Sequence, residues 1–291
     1  HKVISNYILD QISKLTNNSI RIGISGSPGV GKSTFIEAFG LYLCNKNYKV
    51  AVLAIDPSSQ KTKGSILGDK TRMENLSRNK NSFIRPSPTA GYLGGITRTT
   101  RETIMLCEAS GYNIIIVETV GVGQSEISVR SMVDFFLLLL LPNAGDELQG
   151  FKKGSVEIAD LIVINKADGD NLKSAKLTQK AYENVIHYIQ PATPGWHTKV
   201  MLSSAIKNQG IQEIWDEIQK FIQVTKQSGY FEKRREQQKI EWVYSMIENL
   251  LLDKFYHHPN YLKIKDLVEK QLKENIITPN EAINKFLEVI K

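Results

Sequence analysis

Gly26-Ser27-Pro28-Gly29-Val30-Gly31-Lys32-Ser33 matches the phosphate-loop pattern G-x-x-x-x-G-K-[ST] at every fixed position. Its flanks decide the fold. Upstream, Ile20-Arg21-Ile22-Gly23-Ile24-Ser25 alternates apolar residues, as a strand entering a sheet does. Downstream, Phe35, Ile36, Phe39 and Leu43 recur at helical spacing. Strand, glycine loop and helix in that order give the string a mechanism. The glycines let backbone N–H groups turn inward around a polyphosphate, and the helix N-terminus adds partial positive charge. Ser27, Pro28, Gly29, Val30, Gly31, Lys32, Ser33 and Thr34 are therefore the expected cradle. Lys32 neutralises the β- and γ-phosphates, and the Ser33 hydroxyl is offered to Mg²⁺.

Working outward, strand-like runs recur at 50–55, 83–85, 113–118, 135–141, 161–165 and 200–203, with helical patterns between most of them. That alternation predicts an α/β fold of three layers, a mostly parallel sheet covered on both faces, with ligands at the strand C-terminal ends. Phe135 to Leu141, all apolar between Asp134 and Pro142, suits a central strand buried on both faces. It is far short of the roughly 20 residues that a membrane span needs. Residues 1–18 are expected to form a short N-terminal helix, 19–227 the nucleotide domain, and 228–291 a helical extension. Ile211, Ile214, Trp215, Ile218, Phe221 and Ile222 mark an amphipathic helix able to pack on the sheet. After the break at Ser228-Gly229, a second stripe runs through Ile240, Val243, Ile247, Leu250 and Leu251. Two shorter helices follow near 261–274 and 279–290. The chain starts at His1 without a methionine, consistent with a trimmed product.

The 291 residues, 41% apolar, are enough for one substantial core. Cys44 and Cys107 lie far apart without a second ligand at metal spacing, which argues against a disulfide framework or a zinc site. The net charge of +7 raises a nucleic-acid module as one reading. Its densest run, Glu232-Lys233-Arg234-Arg235-Glu236, is interrupted by acids and reads instead as a helix face with i,i+4 pairing. No membrane and no nucleic-acid partner are expected.

Asn165-Lys166-Ala167-Asp168 follows the strand Leu161-Ile162-Val163-Ile164, some 130 residues after the phosphate loop. In N-K-x-D the aspartate accepts two hydrogen bonds from guanine N1 and N2, a donor pair that adenine lacks. Bonds to charged groups contribute about 1.5–3 kcal/mol each, which favours guanine tens- to hundreds-fold. Asn165 braces the loop, the Lys166 stem lies along the base, and Ser203-Ser204-Ala205 can supply an N–H to guanine O6. The reading is a P-loop GTPase. Mg²⁺ takes hard oxygen ligands, and the candidates are Ser33, Asp56, Asp69 and Glu118. Gly121 and Gly123 can meet the γ-phosphate, Gln124 can orient the attacking water, and Arg72 and Lys153 can steady transition-state charge.

Together these segments resemble the MeaB/MMAA family of P-loop GTPases, often described as ArgK or LAO/AO transport kinases. The resemblance rests on Gly26–Thr34, Asp56-Pro57-Ser58-Ser59, Gly64–Met73, Glu118–Glu126, Gly145–Gly154 and Asn165–Asp168. It runs from about Ser19 to Ala205 and more loosely through the tail. It implies a GTPase that chaperones adenosylcobalamin-dependent methylmalonyl-CoA mutase or a related acyl-CoA mutase, gating cofactor loading and protection. It also implies GTP/GDP and Mg²⁺ as ligands, with Lys32 and Ser33 at phosphate and metal and Asp56, Asp69 and Glu118 around the ion. Asp146 and Lys153 would respond to nucleotide and mutase, and a homodimer would use the C-terminal helices. Family members usually carry a helical extension before the first strand, where this sequence has about 18 residues. The compartment implied is bacterial cytoplasm, or mitochondrial matrix in a eukaryote. Alternative functions are a metal-insertion GTPase and a kinase acting on an amino-acid transport protein.

Overall fold

The computed structural model describes residues 11–12, 18–56, 72–88, 93–119, 125–142 and 153–290. The expected N-terminal helix lies almost wholly outside them. Seven strands form one sheet: β1 (Ile20–Gly26), β2 (Val50–Asp56), β3 (Ser82–Pro88), β4 (Ile114–Glu118), β5 (Phe135–Leu140), β6 (Leu161–Ile164) and β7 (Lys199–Leu202). Their order is β3-β2-β4-β1-β5-β6-β7, and every pairing is parallel.

Parallel strands need crossovers, which here are helices: α1 (Lys32–Asn45), α2 (Glu74–Ser77), α3 (Leu93–Ala109), α4 (Ser125–Arg130), α5 (Lys153–Glu157) and α6 (Asn171–Ile186). Interior strands must then be apolar on both faces. In β5, Phe135, Leu137 and Leu139 join the core on one face and Phe136, Leu138 and Leu140 that on the other. The first core also takes α7 (Ile211–Gln227), through the stripe expected there. Phe221 meets the Phe135 ring edge-on at 4.9 Å between centroids and Trp196 at 5.1 Å.

β3 is longer than the three residues its apolar pattern suggests, because Pro86 and Pro88 continue it. Proline lacks the ladder donor, and β3 is an edge strand. Side by side in the i, i+2 register, both ring nitrogens can face the open edge.

Two compact units divide the chain, His1–Glu236 and Gln237–Lys291. α8 (Tyr230–Tyr256) passes through the boundary, and α9 (Pro259–Lys273) and α10 (Pro279–Leu287) follow. Within the second unit, the Tyr261 ring packs edge-on against Tyr256 and tilted against Phe255 and Phe286, with centroids 5.0 to 5.3 Å apart. His258 caps α9, its ring accepting from the Asn260 N–H. Among the described residues no helix is long and apolar enough to cross a membrane.

Candidate nucleotide site

Because all strands run the same way, their C-terminal ends share one edge. Gly26, Asp56, Glu118, Asn165 and Ser203 each stand at or directly after one of those ends. Gly31 precedes α1 with φ of 91°, in the left-handed region, and a Cβ there would meet Asn165 Nδ2 at 2.9 Å. The loop therefore needs glycine for its turn and for a close approach of the base motif. Lys32 Nζ donates to the carbonyls of Gly26 (2.8 Å) and Ser27 (3.1 Å), spanning the loop. Burial pushes the Lys32 ammonium below its ordinary pKa, while the charges of Glu118 and then Glu126 hold it up.

The metal side is built by the neighbour of β1. Thr119 donates its N–H to Ile24 O (3.0 Å) and its hydroxyl to Ser25 Oγ (2.7 Å), holding the end of β4 beside β1. This brings Ser33 Oγ to 3.5 Å from Glu118 Oε1. A hydroxyl and a buried carboxylate side by side are hard oxygen donors that fit Mg²⁺.

The base motif is fastened to the cradle directly. Asn165 Nδ2 donates to Val30 O (2.9 Å), and Lys166 Nζ donates to Gly29 O (2.8 Å). The second Asn165 amide hydrogen remains for another acceptor. Lys166 takes φ of 57°, turning the chain so that the Ala167 N–H reaches Ser203 O (2.9 Å). The Ser204 hydroxyl donates to Asp168 Oδ2. Ser204 and Gln209 exchange backbone hydrogen bonds of 3.0 Å, which closes the Ser203–Ala205 turn against the aspartate.

The structure thus brings together Ser27 to Thr34, Glu118, Asn165, Lys166, Asp168 and Ser203 to Ala205. Asp56 ends β2 and Lys153 opens α5. Arg72 is exposed, just before α2. Asp69, Gln124 and Asp146 lie outside the described residues. A cavity of about 420 Å³ at the far end of α6, lined by residues such as Glu157, His187 and His197, shares nothing with this site.

Sequence reasoning missed the charge network beneath it. Asp160 accepts from Arg130 through both oxygens, from the Thr193 hydroxyl (2.7 Å) and from the Phe136 N–H (2.8 Å). Asp134 accepts from the Arg21 N–H (2.8 Å) and from Arg235 Nε (2.8 Å) and Nη2 (2.6 Å). Arg234 Nη2 donates to Arg130 O at 3.0 Å. Arg235 thus bonds across the fold, and Arg234 bonds both across it and, through Nη1, to the Tyr230 hydroxyl one turn back on its helix (3.5 Å), so the run expected to be an i,i+4 face also ties the helix to the sheet. The available signal was an acid directly before each wholly apolar strand, Asp134 before β5 and Asp160 before β6. A carboxylate entering a core needs a partner there.

The model of the family described as "Methylmalonyl Co-A mutase-associated GTPase MeaB" matches residues 1–260. GTPase ArgK of Escherichia coli is 43% identical over 291 residues, covering 100% of this chain and 88% of that protein. The mitochondrial methylmalonic aciduria type A homolog of Mus musculus is 46% identical over 273 residues, covering 94% of this chain and 66% of that protein. A crystal structure titled as an LAO/AO transport system kinase superposes with a TM-score of 0.77 at 37% identity, over 100% of this chain and 87% of that one. Phosphate loop, fastened base motif and these matches agree: the chain is a P-loop GTPase and belongs to the MeaB family of methylmalonyl-CoA mutase-associated GTPases.

Proposed function

We propose that this chain is a Mg²⁺-dependent GTP-binding and GTP-hydrolysing chaperone. It gates cofactor loading and protection of an adenosylcobalamin-dependent acyl-CoA mutase of the methylmalonyl-CoA mutase type. The observation that carries the nucleotide part is the pair of bonds from Asn165 and Lys166 to the Val30 and Gly29 carbonyls. They join base reader and phosphate cradle into one site for one molecule. The mutase part is supported by the family's description and by the mouse relative's name.

In this reading Lys32 leaves its two loop carbonyls for the β- and γ-phosphates, and the loop's N–H groups complete the cradle. Asp168 accepts guanine N1 and N2, and Ser203 to Ala205 face O6. Ser33, Glu118, Asp56 and Asp69 would hold Mg²⁺, which when bound neutralises charge on the phosphates. Gln124 is assigned to the attacking water, Arg72 and Lys153 to transition-state charge, and Asp146 with Lys153 to the nucleotide response that the mutase reads. A homodimer is assigned to the second unit. There Ile240, Val243, Tyr244, Ile247, Leu250 and Leu251 are each about half exposed or more, an apolar surface that a second copy would cover. The expected compartment is the one housing the mutase, bacterial cytoplasm or mitochondrial matrix.

Co-purification with candidate cobalamin mutases, with GTP turnover measured with and without each, tests the proposal. A stable complex and stimulated turnover are expected; neither appearing with any mutase sinks the chaperone role. Labelled phosphate recovered on an amino-acid-binding protein, rather than free in solution, would mark a kinase instead.

A further inference from the structure

Glu157 and Glu183 break the same local rule. Each stands in the last turn of its helix, α5 and α6, and neither last turn carries a basic residue. A helix C-terminal end bears partial negative charge, which a carboxylate opposes and a cation relieves. Among the described residues neither carboxylate is in an ion pair. Local rules broken without local compensation concentrate at functional sites. Here the fold brings the two ends together, because both glutamates line the cavity of about 420 Å³ beyond α6. Val156 and Ile186 add apolar wall, and His187 and His197 add ring nitrogens. A neutral imidazole keeps one of its nitrogens as an acceptor. The volume lies within the range of about 300–1,000 Å³ that small-molecule sites occupy. Two carboxylates, acceptor nitrogens and an apolar wall suit one chemistry, an ammonium or guanidinium carried on a small apolar body.

The cavity is also tied to the nucleotide side. α5 opens at Lys153, assigned above to transition-state charge, one turn before Glu157. The opposite wall is bonded inward at two points: the Thr198 hydroxyl donates to Ala159 O (2.8 Å), and the Thr193 hydroxyl to Asp160 Oδ1 (2.7 Å). Arg130 Nη2 donates to the same Thr193 hydroxyl oxygen at 3.0 Å. Arg130 is the last residue of α4, and α4 directly follows Gly121–Gln124, assigned to the γ-phosphate and the attacking water. Each wall thus leads to a segment given a part in hydrolysis.

We propose that this cavity is an effector site for a small organic cation, whose binding changes GTP turnover. Bound there, the cation neutralises both glutamates and both helix ends. It also fixes α5 against the 189–198 loop, so that occupied and empty states differ at Lys153 and at the segment before α4. Such a difference is what couples two separate sites. The turnover part rests on the roles proposed for Lys153 and Gly121–Gln124; the binding part does not.

The test is calorimetric titration of the full chain at pH 8 and fixed ionic strength with three probes of one shape: 2-phenylethylamine, 2-phenylethanol and 3-phenylpropionate. The amine is expected to bind with a dissociation constant on the order of a millimolar, as suits so small a ligand. It should bind about fivefold to tenfold more tightly than the alcohol, with the acid weakest. Glu157→Gln with Glu183→Gln should abolish that ranking, while Glu213→Gln, an exposed acid elsewhere, should leave it intact. Saturating amine should change GTP turnover at least twofold in wild type and not in the double variant, whose basal turnover stays at the wild-type level. No binding, equal binding of the three probes, or a ranking that survives the double substitution overturns the site. Binding with unchanged turnover overturns the coupling. If the double variant does not fold, the probe ranking on wild type and on each single variant decides the matter alone.

Discussion

At the scale of single residues, two glycines of the same loop separate strain from contact. Gly29 and Gly31 both hold left-handed φ, 83° and 91°, which costs an L-residue about 1–2 kcal/mol. A Cβ at Gly29 meets nothing within 4 Å, whereas one at Gly31 would push Asn165 from its bond to Val30. Gly31→Ala is therefore expected to lose GTP affinity by well over tenfold, and Gly29→Ala to lose only stability, visible as a lower melting temperature. Equal affinity losses would show that strain alone matters. Asp168→Ala separates the base reader in the same way: guanine preference over adenine should fall tens- to hundreds-fold, read from competition titrations. The thiols are inert by comparison. Burial pushes Cys107 up to about 11, and Cys44 also upward. At pH 7.5 the Cys107 thiolate fraction is then lower than that of an ordinary thiol by roughly two orders of magnitude. A disulfide reagent should label Cys107 only as the native protein opens, and both at once in denaturant.

At the scale of elements, legibility followed the strength of local rules. Every strand of the sheet was readable from its apolar residues, most plainly β5, which is apolar throughout because a central parallel strand is buried on both faces. α10 was readable from Thr278-Pro279, and the structure adds the reciprocal bonds of a capping box between Thr278 and Glu281. Thr278→Ala should cost about 1 kcal/mol of local helix stability. Faster amide exchange across 279–287, with 211–227 unchanged, is the measurement; a uniform change would place the loss elsewhere. The boundary of β3 was not readable, since tolerance for Pro86 and Pro88 depends on being at an edge, and strand order is absent from the sequence.

At the scale of the whole molecule, the phosphate loop and base motif could be joined from sequence because each carries its own fingerprint. The salt network under the sheet could not, because partners such as Arg21 and Asp134 lie 113 residues apart and belong to no motif. That network sets a pH limit on the fold. Burial by itself would raise the Asp134 carboxyl, but the Arg235 guanidinium, with the Arg21 charge and N–H, holds it below the ordinary carboxylate value. The same pairing raises Arg235, so the arginine stays charged throughout. A carboxyl depressed in the folded state binds fewer protons there than in the unfolded chain. Its stabilisation is complete above about pH 4, the unfolded aspartate value, and drains away as the pH falls through the lower folded value. Denaturant unfolding from pH 7 to pH 3 should therefore show wild-type stability dropping steeply on the acid side. Asp134→Asn should already be about 3–5 kcal/mol less stable at neutral pH, since Arg235 is left buried without its counter-charge. Its acid limb should be correspondingly flatter, and parallel wild-type and variant curves below pH 4 would show that other carboxylates, not Asp134, govern the acid transition.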